Sequence, residues 1–374
     1  MICVSLGRSR HSGFQEGHQA LAEQKAELVE LRVDWLRKRP DVTRLLKDRP
    51  TPVVVTCRRP EDQGRWSGDE ETRQAVLREA IIGGAEYVDL EWDIAKSIPR
   101  FGKTKRIVSY HNFNETPIEL YDIYSKMTQC NPDIIKIVTM AKTPADNVRV
   151  LEMLRAADVP TVAFCMGEFG TISRILCGKM GAPFTYAGFS SSREMAPGQL
   201  TYAEVRNLYR FNHITDQTKI FGVIGDPIGH SLSPFLHNLA FRKVGFDGVY
   251  LPLKIPAELL ESSLEEYKRL GISGYSVTIP HRKRYWIWWI SRTRCPTPSA
   301  REYPVHQGWN LACHQYRLRR GRRNRHRSSG SQSTDSLGPG QSPGPDSGSG
   351  RSCSSSRDGA QEPRRSGGRD QQNP

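Results

Sequence analysis

The first part of the chain, about 210 residues, predicts a (β/α)8 barrel, and three observations carry the prediction. Eight short apolar, β-branched runs alternate with longer stretches whose apolar residues recur at helical spacing. The order is strand then helix throughout, which builds a parallel sheet covered by helices. No Gly-x-Gly-x-x-Gly follows the first run, which weakens the alternative of an open, doubly wound sheet.

The expected strands are ICVSL at 2–6, LVELRVD at 28–34, PVVVTCR at 52–58, YVDLE at 87–91, RIVSYH at 106–111, IIKIVTM at 134–140, TVAFCM at 161–166 and FTYAGF at 184–189. Each is rich in Val, Ile, Thr or aromatic residues, which suit a pleated surface. Between them lie stretches such as DEETRQAVLREAIIGG and PADNVRVLEMLRAAD, with helical periodicity and a Gly or Asp near the end. A second unit begins near Lys219. There a strand runs into a Gly/Pro/Ser loop, and the order strand, helix, strand, helix, strand continues to His281. That is the start of an α/β domain.

The 374 residues carry a net charge of +14, but from Arg282 onward there are 17 Arg and one Lys against four Asp and two Glu. The basic character therefore belongs to the tail, and the part before it is nearly neutral. The eight cysteines are scattered, with no CxxC pair and no metal-ligand spacing, as expected of reduced thiols in a cytoplasmic enzyme. No run of 18 apolar residues predicts a membrane span, and MICVSLGRSR has no apolar signal region.

Strand side chains alternate faces. Glu30, Arg32 and Asp34 then share one face, pointing into the barrel near its C-terminal mouth, while Leu31, Val33 and Trp35 face the helices. Such charges are either a structural ion-pair network or an active site, which in this fold lies at that mouth. Lys136 sits mid-strand between Ile135 and Ile137. Desolvation there would favour a neutral amine able to form an imine with a ketone; the alternative is a lysine paired to a carboxylate. His111 ends the neighbouring strand, where imine chemistry needs a proton shuttle with a pKa near 7; alone, it reads more often as structural, and the lysine one strand away reverses that. Arg58 and Arg174, at two strand mouths, together suit an anionic small substrate.

ELRVD (30–34), TCR (56–58), SYHNF (109–113), IIKIV (134–138), GTISR (170–174) and APGQ (196–199), in this order, resemble the type I 3-dehydroquinate dehydratases. The resemblance implies that Lys136 forms an imine with the C3 ketone of 3-dehydroquinate. It implies that His111 removes the C2 proton and then assists loss of the C1 hydroxyl as water. Glu30, Arg32, Arg58, Arg174 and Gln199 would hold the substrate. Asp62 stands where the family often has a glutamate that orients the histidine, and Met195 where many members have a small hydroxyl residue. The weakening expected from Met195 is a lost hydrogen bond, roughly 1 kcal/mol. No cofactor, membrane or nucleic acid is expected for this activity; a homodimer is one assembly open to it, and the sequence does not fix the oligomeric state.

GDPIGHSLSP followed by SVTIPH resembles the substrate domain of shikimate dehydrogenase. By that resemblance Ser231 and Ser233 would bind the shikimate carboxylate, and Ser276 and Thr278 its hydroxyls. The family's catalytic lysine falls at Arg282, a departure that a permanently charged, planar guanidinium does not repair. The family's nicotinamide-binding domain, and with it an NADP site, does not follow. The unit is expected to be marginally stable, lacking the sheet and partner domain against which it would bury its apolar faces.

From residue 282 the tail reads as a disordered basic arm, which would bind nucleic acid, or as coding sequence out of frame. Back-translation favours the second. Codons allowed for Arg282 to Arg294 yield KAVLDLVDLADP two nucleotides on, restoring a lysine after SVTIPH. One nucleotide on, HQYRL (314–318) yields TNTD and GPDSGSGR (344–351) yields VLILGAGG, a strand entering a phosphate-binding turn. Restored to frame, the gene would encode a bifunctional dehydratase and dehydrogenase; the competing activities are a dehydrogenase and a nucleic-acid-binding protein.

Overall fold

The strands of the barrel carry its charge as well as its core. In the computed structural model, which describes residues 1–190 and 196–282, eight parallel strands form one sheet in the order β7-β6-β5-β4-β3-β2-β1-β8. They are β1 Ile2–Leu6, β2 Leu28–Arg32, β3 Val53–Thr56, β4 Tyr87–Glu91, β5 Lys105–Asn112, β6 Ile134–Met140, β7 Thr161–Met166 and β8 Thr185–Gly188. The ladder is continuous except between β7 and β8. There Phe164 and Phe184 pack on Tyr186, with ring centroids 6.3 and 5.6 Å away. The result is a nearly closed barrel.

Helices cover its outside: α1 His11–Glu23, α2 Val42–Leu46, α3 Glu70–Ile82, α4 Leu120–Thr128, α5 Pro144–Arg155 and α6 Thr171–Leu176. Their starts are written locally. Asp69 accepts the Thr72 N–H at 2.7 Å to cap α3. Pro144 opens α5, and Asp146 accepts the Thr143 N–H at 2.9 Å. Outward strand residues such as Val29, Leu31, Val53, Val55, Ile135 and Ile137 are buried under these helices.

Inward residues change character along the strands. Towards the N-terminal end Cys3, Leu28, Val54, Ile107, Ile134, Val162 and Phe184 fill the interior. One step further on come Ser5, Glu30, Thr56, Asp89, Ser109 and Lys136, a polar belt that is itself buried. The alternation expected through residue 34 stops at Arg32. Val33–Trp35 is one 3-10 turn, so Trp35 does not continue the outward face. The cause is Asp34, whose carboxylate binds Arg32 through two hydrogen bonds of 2.9 Å and accepts the Arg65 N–H at 3.0 Å.

The second unit comprises β9 Lys219–Gly225, α7 Ser233–Lys243, β10 Gly248–Lys254, α8 Leu260–Lys268 and β11 Ile272–Val277, with all strands parallel in the order β10-β9-β11. The missing partner domain does not leave the unit unpacked. α8 packs on α5 and β10 on α6, and the apolar core runs without a break from the barrel into Ile220, Leu251, Leu264 and Tyr267. Arg269 bonds Glu152 of α5 across this contact. Leu232, Phe235 and Leu236, on or beside α7, are exposed. Met195 and residues 283–374, with the readings of the tail, lie outside the described residues. No helix among the described residues is long and apolar enough to cross a membrane.

Candidate active site

Lys136 lies within the polar belt, mid-way along β6, and is 5% exposed. Its Nζ donates to Asp89 Oδ2 at 3.0 Å, stands 3.5 Å from Glu30 Oε1 and lies 4.0 Å from the centre of the Tyr186 ring. The amine is therefore paired with carboxylates, and not solitary among the β-branched residues that flank it in sequence. Glu30 is fixed from two further strands, by Ser5 Oγ at 2.6 Å and Thr56 Oγ1 at 2.9 Å. Burial by itself would raise the Asp89 carboxyl; Arg58 and Lys136 beside it prevail and hold it well below the usual carboxylate range.

His111 stands on β5, next to β6, two residues beyond Ser109, which pairs with Lys136 in the ladder. Burial, and then the charges of Arg58 and Lys136, hold its imidazole well below the usual histidine value. That corrects the expected pKa near 7: two cations nearby oppose a third. The ring is stacked on Phe113 at 5.9 Å between centroids, and its buried Nδ1 has no hydrogen-bond partner. An unprotonated imidazole in this place has a free lone pair with which to accept a proton.

The orienting role expected of Asp62 is not formed. Asp62 lies in the 3-10 turn Pro60–Asp62, and its carboxylate is taken by Arg59 Nε at 2.6 Å. Arg59 also binds Asp93 at 2.7 Å, which anchors the turn to the loop after β4. Arg58, expected to hold the substrate, lines the pocket while paired with carboxylates of the protein. Its Nη2 donates to Asp89 and its Nη1 to Glu91, both at 2.8 Å, and Nη1 also reaches Ser109 Oγ at 3.0 Å. Arg32 is forked onto Asp34.

Arg174 is 1% exposed on α6, donates to the Pro197 carbonyl at 3.2 Å and lies 4.7 Å from the centre of the Phe164 ring. Two glycines allow its surroundings to close. A Cβ at Gly170 would stand 2.3 Å from the Cys165 carbonyl oxygen. Gly198 has φ +68°, and a Cβ there would stand 2.7 Å from the Gly167 oxygen. GTISR and APGQ thus position Arg174 and Gln199 by backbone contact.

One pocket at the mouth of the barrel is lined by Glu30, Arg32, Arg58, Asp62, His111, Lys136, Arg174 and Gln199, together with Ser5 and Tyr186. The eight barrel residues to which the resemblance assigned catalytic or substrate-holding roles therefore meet at one place. Asp89 and Glu91 were missed, although YVDLE carries them at the same two-residue period as Glu30 and Arg32. In the second unit both serine-bearing motifs lie at the C-terminal edge of the small sheet. Ser231 Oγ accepts the Ser233 N–H at 3.3 Å, and the Thr278 N–H bonds Ile224 of β9 at 2.9 Å. All four side chains there, of Ser231, Ser233, Ser276 and Thr278, are half-buried, and Arg282 is exposed.

Residues 2–216 match the family model described as type I 3-dehydroquinase, which covers more than half of the chain. The chain belongs to the type I 3-dehydroquinase family. Residues 223–287 match the shikimate dehydrogenase substrate binding domain. The 3-dehydroquinate dehydratase of Methanopyrus kandleri is 39% identical over 214 residues, 56% of this chain and 97% of that protein. The enzyme of Desulfotalea psychrophila is 34% identical over 220 residues, 56% of this chain and 96% of its own length. The chloroplastic bifunctional 3-dehydroquinate dehydratase/shikimate dehydrogenase of Arabidopsis thaliana is 41% identical over 269 residues, 69% of this chain. The chain spans only 44% of that relative. The crystal structure of the 3-dehydroquinate dehydratase from Geobacillus kaustophilus shares the dehydroquinase fold at a TM-score of 0.50, with 23% identity over 55% of this chain and 88% of that one.

Proposed function

We propose that the barrel dehydrates 3-dehydroquinate to 3-dehydroshikimate through an imine on Lys136. The observation that supports this most is the placing of one buried lysine and a histidine in a pocket that also holds Arg174. Lys136 Nζ attacks the C3 ketone; water leaves and an iminium forms. The iminium withdraws electrons from C2, so His111 can take a C2 proton and leave an enamine. The enamine expels the C1 hydroxyl, which takes the proton back from His111 and departs as water. Hydrolysis of the iminium then releases the product and restores the lysine. The electrons stay within the substrate throughout, so the scheme calls for no redox cofactor.

The site residues divide in this reading. Lys136 and His111 act on the reacting atoms, Arg174 and Gln199 hold the anionic substrate, and Glu30 and Asp89 steady the nitrogen cation. Arg32, Arg58 and Asp62 shape the pocket while bound to other residues of the protein. The test is turnover of 3-dehydroquinate, followed by the absorbance of the conjugated enone formed. The wild-type chain is expected to turn over and Lys136→Ala to be inactive; a fully active Lys136→Ala protein refutes the reading. A cytoplasmic location and a homodimer belong to the same reading, the latter checked by sedimentation.

For residues 219–282 we propose shikimate-like binding at most, through Ser231, Ser233, Ser276 and Thr278, and no dehydrogenase turnover. Arg282 in place of a lysine supports this. A bifunctional enzyme using NADP is the reading for the gene restored to frame.

A further inference from the structure

Arg73 is, with Arg174, one of the two largest fully buried side chains of the described residues, yet it belongs to α3, outside the sheet. Its guanidinium is fully engaged: Nη1 donates to the Cys57 carbonyl at 2.6 Å and to Glu91 Oε2 at 2.9 Å. Nε and Nη2 grip Glu70 at 2.7 and 2.8 Å. An arginine on the buried stripe of a helix, beside Val76, Leu77 and Ala80, is costly unless its charge is used.

The use is visible one bond further on. Glu91 gives Oε2 to Arg73 and Oε1 to Arg58 at 2.8 Å. Arg58 passes through Nη2 to Asp89 Oδ1, also at 2.8 Å, and Asp89 gives Oδ2 to Lys136 at 3.0 Å. Ser109 Oγ donates to Asp89 Oδ1 at 2.6 Å and fixes its orientation. The series Arg73, Glu91, Arg58, Asp89, Lys136 alternates in sign, and each carboxylate in it joins two cations through different oxygens. Each member is nine-tenths buried or more, so the charges act on one another with little screening by water.

We infer that Arg73 is a positioning residue for the dehydratase, which holds Lys136 in place and in charge balance from outside the barrel through Glu91, Arg58 and Asp89. The inference rests on the imine role proposed for Lys136. Arg73 does not line the pocket, so it is not expected to touch substrate. Without its charge, Glu91 is held only by Arg58, and the buried set gains one net negative charge. That favours the protonated lysine, so imine formation should require a higher pH. The groups around Lys136 are Glu30, Asp89, His111, Tyr186, Cys3 and, through Asp89, Arg58; a substitution at Arg73 replaces none of them and reaches Lys136 only through Glu91, Arg58 and Asp89.

The experiment compares Arg73→Gln and Arg73→Lys in the full chain. It reads kcat, KM and the pH dependence of borohydride trapping of the 3-dehydroquinate imine. For Arg73→Gln we expect kcat to fall about tenfold, KM to stay within about twofold, and the acid limb of trapping to move up by about one pH unit. Arg73→Lys, which keeps the charge, should leave the limb in place and recover most of kcat. Should Arg73→Gln fail to fold, Glu91→Gln replaces it. That change removes a negative charge from the same series and should move the limb down. An unmoved limb in the charge-removing variant, or a rise in KM in place of a fall in kcat, overturns the inference. If the wild-type chain itself forms no imine, the failure belongs to the dehydratase mechanism and not to Arg73.

Discussion

Asp89 Oδ2 lies 3.0 Å from Lys136 Nζ, and both side chains are buried in the middle of the barrel. A carboxylate so placed balances the ammonium before reaction and the iminium during it. Asp89→Asn leaves Lys136 and Arg58 undercompensated. The expected cost is about 3–5 kcal/mol of stability, the usual penalty for breaking a buried pair. Urea unfolding of the two proteins at pH 7 checks it.

The same carboxylate sets an acid limit. Asp89 is held below its ordinary range, so its contribution is complete above the unfolded value of about 4 and is lost only as the pH falls through the lower folded value. The stability difference between wild type and Asp89→Asn should therefore be constant from pH 8 to about 4 and shrink below it. A difference that fades already near neutrality would contradict this.

His111 acts in the opposite sense. The folded state keeps it neutral where the unfolded chain takes a proton, so it lowers stability as the pH falls below about 6.5. His111→Asn should lessen that acid sensitivity. It should also lower kcat by about 10²–10⁴-fold while leaving the imine trappable, because Lys136 is untouched. Loss of trapping together with turnover would show His111 to be needed earlier than proposed.

Asp62 is bound to Arg59 and not to His111. Asp62→Asn is thus expected to change kcat by less than about threefold, well short of the loss for an acid/base partner. A loss of a hundredfold would mean that Asp62 turns to the histidine once substrate is bound.

The second unit should be inert as a dehydrogenase and useful as packing. NADPH with 3-dehydroshikimate should give no turnover, read by cofactor absorbance. Leu264, 5% exposed on α8 in the core shared with the barrel, should cost about 2–5 kcal/mol when changed to Ala. A Leu264→Ala protein that melts like wild type would mean that α8 contributes little to the folded chain.

Much of this site was legible because a strand reports its faces. Glu30, Lys136 and His111 stand at alternate positions within apolar runs, and a charge there has few explanations other than a partner or a task. The partner was not legible. Asp89 carries the same periodic signal, but which cation it meets depends on the register of β4 against β5 and β6, fixed by contacts distant in sequence. The protein partners of Arg58 and Asp62 were hidden for a related reason. Their directions follow from where β3 stops and how residues 59–64 turn, which depends on Arg59 meeting Asp93. The seating of α8 on α5 was hidden because an amphipathic helix shows that a face is buried, not against what.

Borohydride reduction of the wild-type chain with 3-dehydroquinate, followed by peptide mass analysis, tests the central claim most directly. The imine mechanism predicts one covalent adduct, on the peptide that carries Lys136, and none without substrate. Turnover of the substrate with no adduct, or an adduct on another lysine, would contradict it.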